Sequence, residues 1–253
     1  MTISEQSCQI LAAAQLTGRL SHNSRTINEQ AIRELMAENP YWSLASTVVE
    51  GLNIDEDDVL AVVVKSFGIT MEEFMADEAS TISPERTAAQ LVHGLSELLA
   101  AAKTGATVAL ATGHPGSLAE VYRWIGELVV AAGGSLWLIQ PRTPATHGHF
   151  LDQVGGVIML SDEGSLMHTH EQEGLGTLLS TNKPDWLLAD HGFAAAGIDV
   201  GIPTVAIYDT DDPAIPLAAS VTKDIIAIPM NDNQTNSLTA AAVRAFWTSL
   251  NHG

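Results

Sequence analysis

Apolar residues in this chain keep two different rhythms, and the change comes near residue 105. Before it, spacings of three and four dominate. Leu91, Leu95, Leu98 and Ala102 form one such stripe, the signature of a helix with a single buried face. Helix-start signals stand ahead of these runs: Asn39-Pro40 before 41–50, Asp55 before 56–66, and Ser83-Pro84 before 85–103. Each supplies an acceptor for the first free N–H groups. The reading is a helical N-terminal region over 1–104, helical throughout. The acidic run Asp55-Glu56-Asp57-Asp58 is then a cap and a dipole-favoured first turn rather than a metal site.

After residue 105, short β-rich runs at 107–111, 135–139, 157–160, 186–189, 204–208 and 224–228 alternate with helical segments. Such alternation implies βαβ units. Following the first run, Leu118, Val121, Tyr122, Ile125, Leu128 and Val129 give a helix with a sheet-facing stripe. The expected fold class is α/β: a Rossmann-like, doubly wound, mostly parallel sheet over 105–253, carrying the site and joined to the helical part by a soft boundary.

Composition narrows the function classes. Eleven Lys plus Arg stand against 30 Asp plus Glu, a formal charge of −19, and no basic patch interrupts it. Nucleic acid and anionic membranes are repelled by such a field. A small phosphate ester is not, because amides, a few cations or a metal hold it locally. With one cysteine, Cys8, no internal disulfide forms. No basic leader opens the chain and no apolar run spans a bilayer, so the expected setting is the cytoplasm. Self-association through the helical half stays open; exposed Trp42 or Trp247 would favour it.

Open parallel sheets bind ligands outside the carboxyl ends of their strands, and this chain places its polar residues there. Gly113-His114-Pro115-Gly116 follows the first strand, Asp190-His191-Gly192 the fourth and Asp209-Thr210-Asp211-Asp212-Pro213 the fifth. His168-Thr169-His170-Glu171 lies beyond the third. Gly113 and Gly116 permit a tight turn, and with Ser117 they open a helix whose free N–H groups suit an anion. The corner is neither G-x-G-x-x-G nor a P-loop. Asp190 is a helix cap or a functional carboxylate, and His191 is an acid-base group, a metal ligand or a histidine satisfied by backbone. Of Asp209, Asp211 and Asp212, at least one is expected to cap the helix that Pro213 starts. The others suit Mg²⁺ or Mn²⁺, and adding imidazoles from His168, His170 or His191 shifts preference toward Mn²⁺, Fe²⁺ or Zn²⁺. His147 and His149 sit in what reads as a loop.

The islands A-T-G-H-P-G, H-T-H-E, A-D-H-G-F and G-I-P-T-V-A-I-Y-D-T-D-D-P-A resemble a mainly actinobacterial family described as phosphatases, without assigned substrates. Weaker likeness in S-H-N-S, N-P-Y-W and D-E-D-D-V-L-A-V extends the resemblance from about Ser21 to Pro229. Ser24 and Asp211 depart from it, since Asn is commoner at both places. A remoter likeness, in architecture alone, is to metal-dependent carbohydrate-phosphate phosphatases, whose D-N-x-G-E motif is absent. Together with the strand ends, the resemblance implies a hydrolase of a small phosphorylated metabolite. Asp190, Asp209 and Asp211 would hold the divalent metal (Mg²⁺ or Mn²⁺ first, Zn²⁺ second), with His114, Asp190 and His191 catalytic. Gly113, Gly116, Ser117, His168 and His170 would bind substrate. The rivals are a metal-free sugar-phosphate isomerase or transferase and a non-catalytic ligand-binding protein.

Overall fold

A computed structural model describes residues 3–250. Its first part runs α1 (Glu5–Ala13), β1 (Gly18–Ser24), α2 (Arg25–Met36), α3 (Pro40–Ser43), α4 (Thr47–Glu50), α5 (Glu56–Ser66), α6 (Met71–Ala76), β2 (Ala79–Ile82) and α7 (Pro84–Lys103). The anticipated caps form. Asp55 accepts from the Asp58 N–H, and Ser83 accepts from that of Arg86 with Pro84 in the first turn.

This part departs from expectation in two places. It is not helical throughout, because β1 and β2 pair antiparallel, with Gly18 opposite Ile82 and Ser24 opposite Ala79. Only Leu20, Ser80 and Ile82 of this pair are buried, too few and too mixed to announce strands. The expected helix over 41–50 is broken by left-handed Leu44 and Ala45, at φ 55° and 49°. Leu44 is buried in the core, and Asp199 accepts from the Ser46 hydroxyl and the N–H groups of Thr47 and Val48, starting α4 afresh.

The second part runs β3 (Thr107–Ala111), α8 (Ala119–Ala131), β4 (Ser135–Leu136), β5 (Thr143–Pro144), β6 (Phe150–Val154), β7 (Val157–Ser161), β8 (Leu166–Met167), α9 (Glu173–Thr181), β9 (Trp186–Asp190), α10 (His191–Asp199), β10 (Thr204–Tyr208), α11 (Ala214–Val221), β11 (Ile225–Pro229) and α12 (Asn236–Ser249). The sheet order is β11-β10-β9-β3-β7-β6-β5, with β4 also on β3 and β8 on β7. Pairing is parallel from β11 to β7, and β5, β6 and β8 add antiparallel edges. This is the expected α/β class. The run at 135–139 pairs only over its first two residues, because β7 takes the upper half of the same β3 flank. The segment holding His147 and His149, read as a loop, lies between paired β5 and β6 and contains a 3₁₀ turn.

Alternation along the strands feeds two cores. Val108, Leu110, Val205 and Ile207 face one with α1, α7, α8 and α12; Ala109, Ala111, Leu187 and Ala206 face the other with α5, α9, α10 and α11. Both cores mix residues from either side of residue 105, such as Leu95 with Val205 and Val63 with Ala206. Trp42 and Trp247 are half-buried against these cores rather than exposed. No helix among the described residues is long and apolar enough to cross a membrane.

Candidate active site

The chain leaves β3 toward β4 and β7 on one flank, then returns to β9 on the other, so the order reverses at β3. A crevice opens at such a reversal. Into it, β3 delivers His114, β9 delivers Asp190 and His191, β10 delivers Asp209 to Asp212, and β11 delivers Asp232.

Two glycines let the His168-Thr169-His170 segment close over this rim. A Cβ on Gly113 would stand 2.4 Å from the Thr169 carbonyl oxygen, and one on Gly192 would stand 2.1 Å from that of His170. No side chain fits at either place. Between them, His191 turns β9 directly into α10 in the left-handed region, at φ 46°. Backbone strain at a non-glycine residue persists only where surrounding contacts hold it.

The imidazoles form one group. Nε2 of His114 and Nε2 of His191 are 3.2 Å apart. The His114 ring centroid is 4.3 Å from that of His168, and His191 stacks 4.1 Å from His170, which in turn stacks 3.8 Å from Tyr41. Carboxylates stand behind them. Asp190 Oδ2 accepts from the Gly113 N–H at 3.0 Å and lies 3.3 Å from His114 Nδ1. Asp232 Oδ2 is 3.6 Å from His114 Nδ1 and 3.7 Å from His191 Nε2. Asp212 Oδ2 is 3.1 Å from His191 Nδ1. Even so, Asp190 Oδ1, Asp232 Oδ2, His191 Nδ1 and the Ser117 hydroxyl are buried with no hydrogen-bond partner.

Crowding of like groups sets the protonation states. Burial, then the neighbouring imidazoles, depresses His191 well below the usual histidine range and His170 to about 3; burial and His114 depress His168. Burial and the other aspartates push Asp212 and Asp232 well above the usual carboxylate range, and Asp211 to about 6. His22 behaves oppositely. Burial works to depress it, but the hydrogen bond and charge of Asp209, 2.5 Å from its Nε2, outweigh that and raise it.

The expected site residues therefore separate into groups. His114, His168, His170, Asp190 and His191 come together. Asp190 does not cap α10, and no aspartate side chain caps α11. Asp209 turns to His22, and Asp211 accepts from the Asn23 amide at 2.8 Å. At the glycine corner, the Gly113 N–H goes to Asp190, that of His114 to the Thr112 hydroxyl, and those of Ser117 and Leu118 to the His114 carbonyl. Gly116 is not left-handed, and a Cβ there would meet nothing within 4 Å.

Sequence reasoning gives no site role to Asp232, nor to His22, Asn23 and Tyr41, which lie in the islands S-H-N-S and N-P-Y-W. Asp232 sits beyond β11 as Asp190 sits at the end of β9, so the strand-end rule extended to the last strand finds it. His22 and Asn23 lie on a strand that went unseen.

Two clefts flank the imidazoles and share His168. One, about 620 Å³, is lined by Tyr41, Leu44, His147 and His170 among others. The second, about 460 Å³, has Ser117, His114, Asp232 and Asn233 on its wall. Among the described residues, neither is lined by Lys or Arg.

The model of the family named Phosphatase matches residues 4–243. The chain belongs to that family. Phosphatase SCO2771 of Streptomyces coelicolor is 34% identical to this Phosphatase-family chain over 185 residues, 71% of this chain and 70% of that protein.

Two outcomes follow for this Phosphatase-family member. Gly192→Ala should lower the melting temperature, at a cost of roughly 1–3 kcal/mol, because the His170 backbone must move. Gly116→Ala should melt like the parent; equal melting of both variants would contradict the packing described. Asp211 has a folded pKa above its unfolded one, so its contribution to stability is present below the unfolded value and is lost as the pH rises through about 6. Asp211→Asn, which keeps an acceptor for Asn23, should therefore match the metal-free parent near pH 4. Above pH 6 it should exceed the parent by roughly 1–3 kcal/mol in denaturant melts. A gap that does not widen with pH would contradict this assignment.

Proposed function

We propose that the protein is a hydrolase of small phosphomonoesters, assisted by a divalent cation that His114, His168 and His191 hold. The observation that carries the reading is the pair of Nε2 atoms 3.2 Å apart in a carboxylate-rich pocket whose clefts no Lys or Arg lines. The two Nε2 atoms share either a proton, as a hydrogen bond, or a metal. A phosphate dianion beside Asp190 and Asp232 needs a positive charge that no side chain there supplies. The donor set fits the group: one candidate atom each from His114, His168 and His191 lie within 4.8 Å of one another. Imidazole ligands select Zn²⁺, Mn²⁺ or Fe²⁺ over Mg²⁺. Asp190, at His114 Nδ1, orients that ring. Asp209 and Asp211 take a different part from that expected, fixing β1 through His22 and Asn23.

When bound, the cation would polarise the phosphoryl group and lower the pKa of water. The protein's own residues do the rest. The phosphoryl group occupies the smaller cleft, where the unpartnered Ser117 hydroxyl donates to a phosphate oxygen. Asp232, whose Oδ2 has no partner and borders the same cleft, takes the proton of the attacking water. The ester P–O bond breaks, inorganic phosphate forms and the alcohol leaves with the proton. Its carbon skeleton occupies the larger cleft against Tyr41 and Leu44.

The test is phosphate release from a panel of phosphomonoesters after chelation and re-addition of Mg²⁺, Mn²⁺ or Zn²⁺. Turnover should vanish on chelation and return with Zn²⁺ or Mn²⁺. Asp232→Asn should lower kcat by about 10²–10⁴-fold. Release that survives thorough chelation contradicts metal assistance. No release with any metal contradicts the hydrolase reading.

A further inference from the structure

Among the described residues, His191 is the one imidazole common to two possible donor groups: His114, His168 and His191, and His170, His191 and Asp212. Its two nitrogens face different neighbours. Nε2 looks toward His114 Nε2, the position assigned above to the first cation. Nδ1 looks toward Asp212 Oδ2 at 3.1 Å, yet it is buried and makes no hydrogen bond. A proton on Nδ1 would not satisfy it. The third member of that group, His170, places its Nδ1 3.3 Å from the Tyr41 carbonyl, which fixes the proton there and leaves Nε2 with its lone pair.

We propose that the protein holds a second divalent cation at His170, His191 Nδ1 and Asp212, with the His191 ring bridging the two ions as an imidazolate. The bridging ring gives up its remaining N–H proton to solvent as the second ion binds. The charge closes. Asp209 is offset by His22, while the negative charges of Asp190, Asp212 and Asp232, each at most 4% exposed, together with that of the imidazolate balance the positive charge that two dications bring. The left-handed turn at His191 sets its ring between the two donor sets, Nε2 toward His114 and Nδ1 toward Asp212, with the His170 ring stacked on its face. This inference extends the first cation site but does not depend on ester hydrolysis.

Metal content separates the outcomes. After dialysis against Zn²⁺ and removal of excess, the parent should retain about two Zn²⁺ per chain, and His170→Ala and His168→Ala about one each. With Co²⁺ in place of Zn²⁺, magnetic coupling through the bridge should make the paramagnetic resonance signal of the parent weaker per cobalt than that of His170→Ala. Circular dichroism and melting of the metal-free variants check that they fold. One Zn²⁺ in the parent, unchanged in His170→Ala, would overturn the second site and leave the first standing. Two Zn²⁺ with a signal per cobalt equal to that of the variant would overturn the bridge. No retained Zn²⁺ would overturn both sites while leaving open whether the protein releases phosphate.

Discussion

A carboxylate taken out of water must be paired, hydrogen-bonded or neutralised, and the rim of this sheet buries Asp190, Asp209, Asp212 and Asp232 almost completely. His22 answers Asp209. Among the described residues no Lys or Arg pairs with the other three, and burial depresses His170 and His191 beside them below the usual histidine range. Burial and the neighbouring carboxylates push Asp212 and Asp232 toward protonation. A divalent cation relieves acids and imidazoles together. For that reason the metal reading rests on charge and packing, beyond the presence of ligand-type residues.

The fold creates this concentration by topology. Reversal of strand order at β3 opens a crevice, and the parallel strands all point their carboxyl ends to it. Gly113 and Gly192 admit the His168-Thr169-His170 segment, and β1, crossing from the N-terminal part, brings His22 and Asn23 against the β10 loop. The N-terminal region therefore packs against the candidate site. It secures Asp209 and Asp211, and through Tyr41 it supplies a wall of the larger cleft.

Much of this was legible in the sequence because strand ends and helix caps are local signals. The runs ending at Ala111, Ala189 and Tyr208 by themselves place His114, Asp190, His191 and the aspartates of the β10 loop on one rim. What was not legible was which acids look inward. Asp209, Asp211 and Asp212 share one tetrapeptide, and only contact with His22 and Asn23 on a strand of mixed burial separates the two that fix β1 from the one that faces His191. The break at Leu44 and Ala45 depends on Asp199, more than 150 residues away, and no local propensity records it. The edge strands β5 and β6 were hidden because their faces are half-exposed and their runs short. The glycine corner drew attention as an anion cradle, whereas Gly113 serves mainly to let Thr169 approach and its N–H secures Asp190.

The central claim is that the converging imidazoles exist to hold a cation. Anomalous X-ray diffraction from crystals of the zinc-loaded protein tests it directly. The account predicts a strong peak bounded by His114 Nε2, His191 Nε2 and His168. A map with zinc only at surface carboxylates, and His114 still hydrogen-bonded to His191, would contradict it.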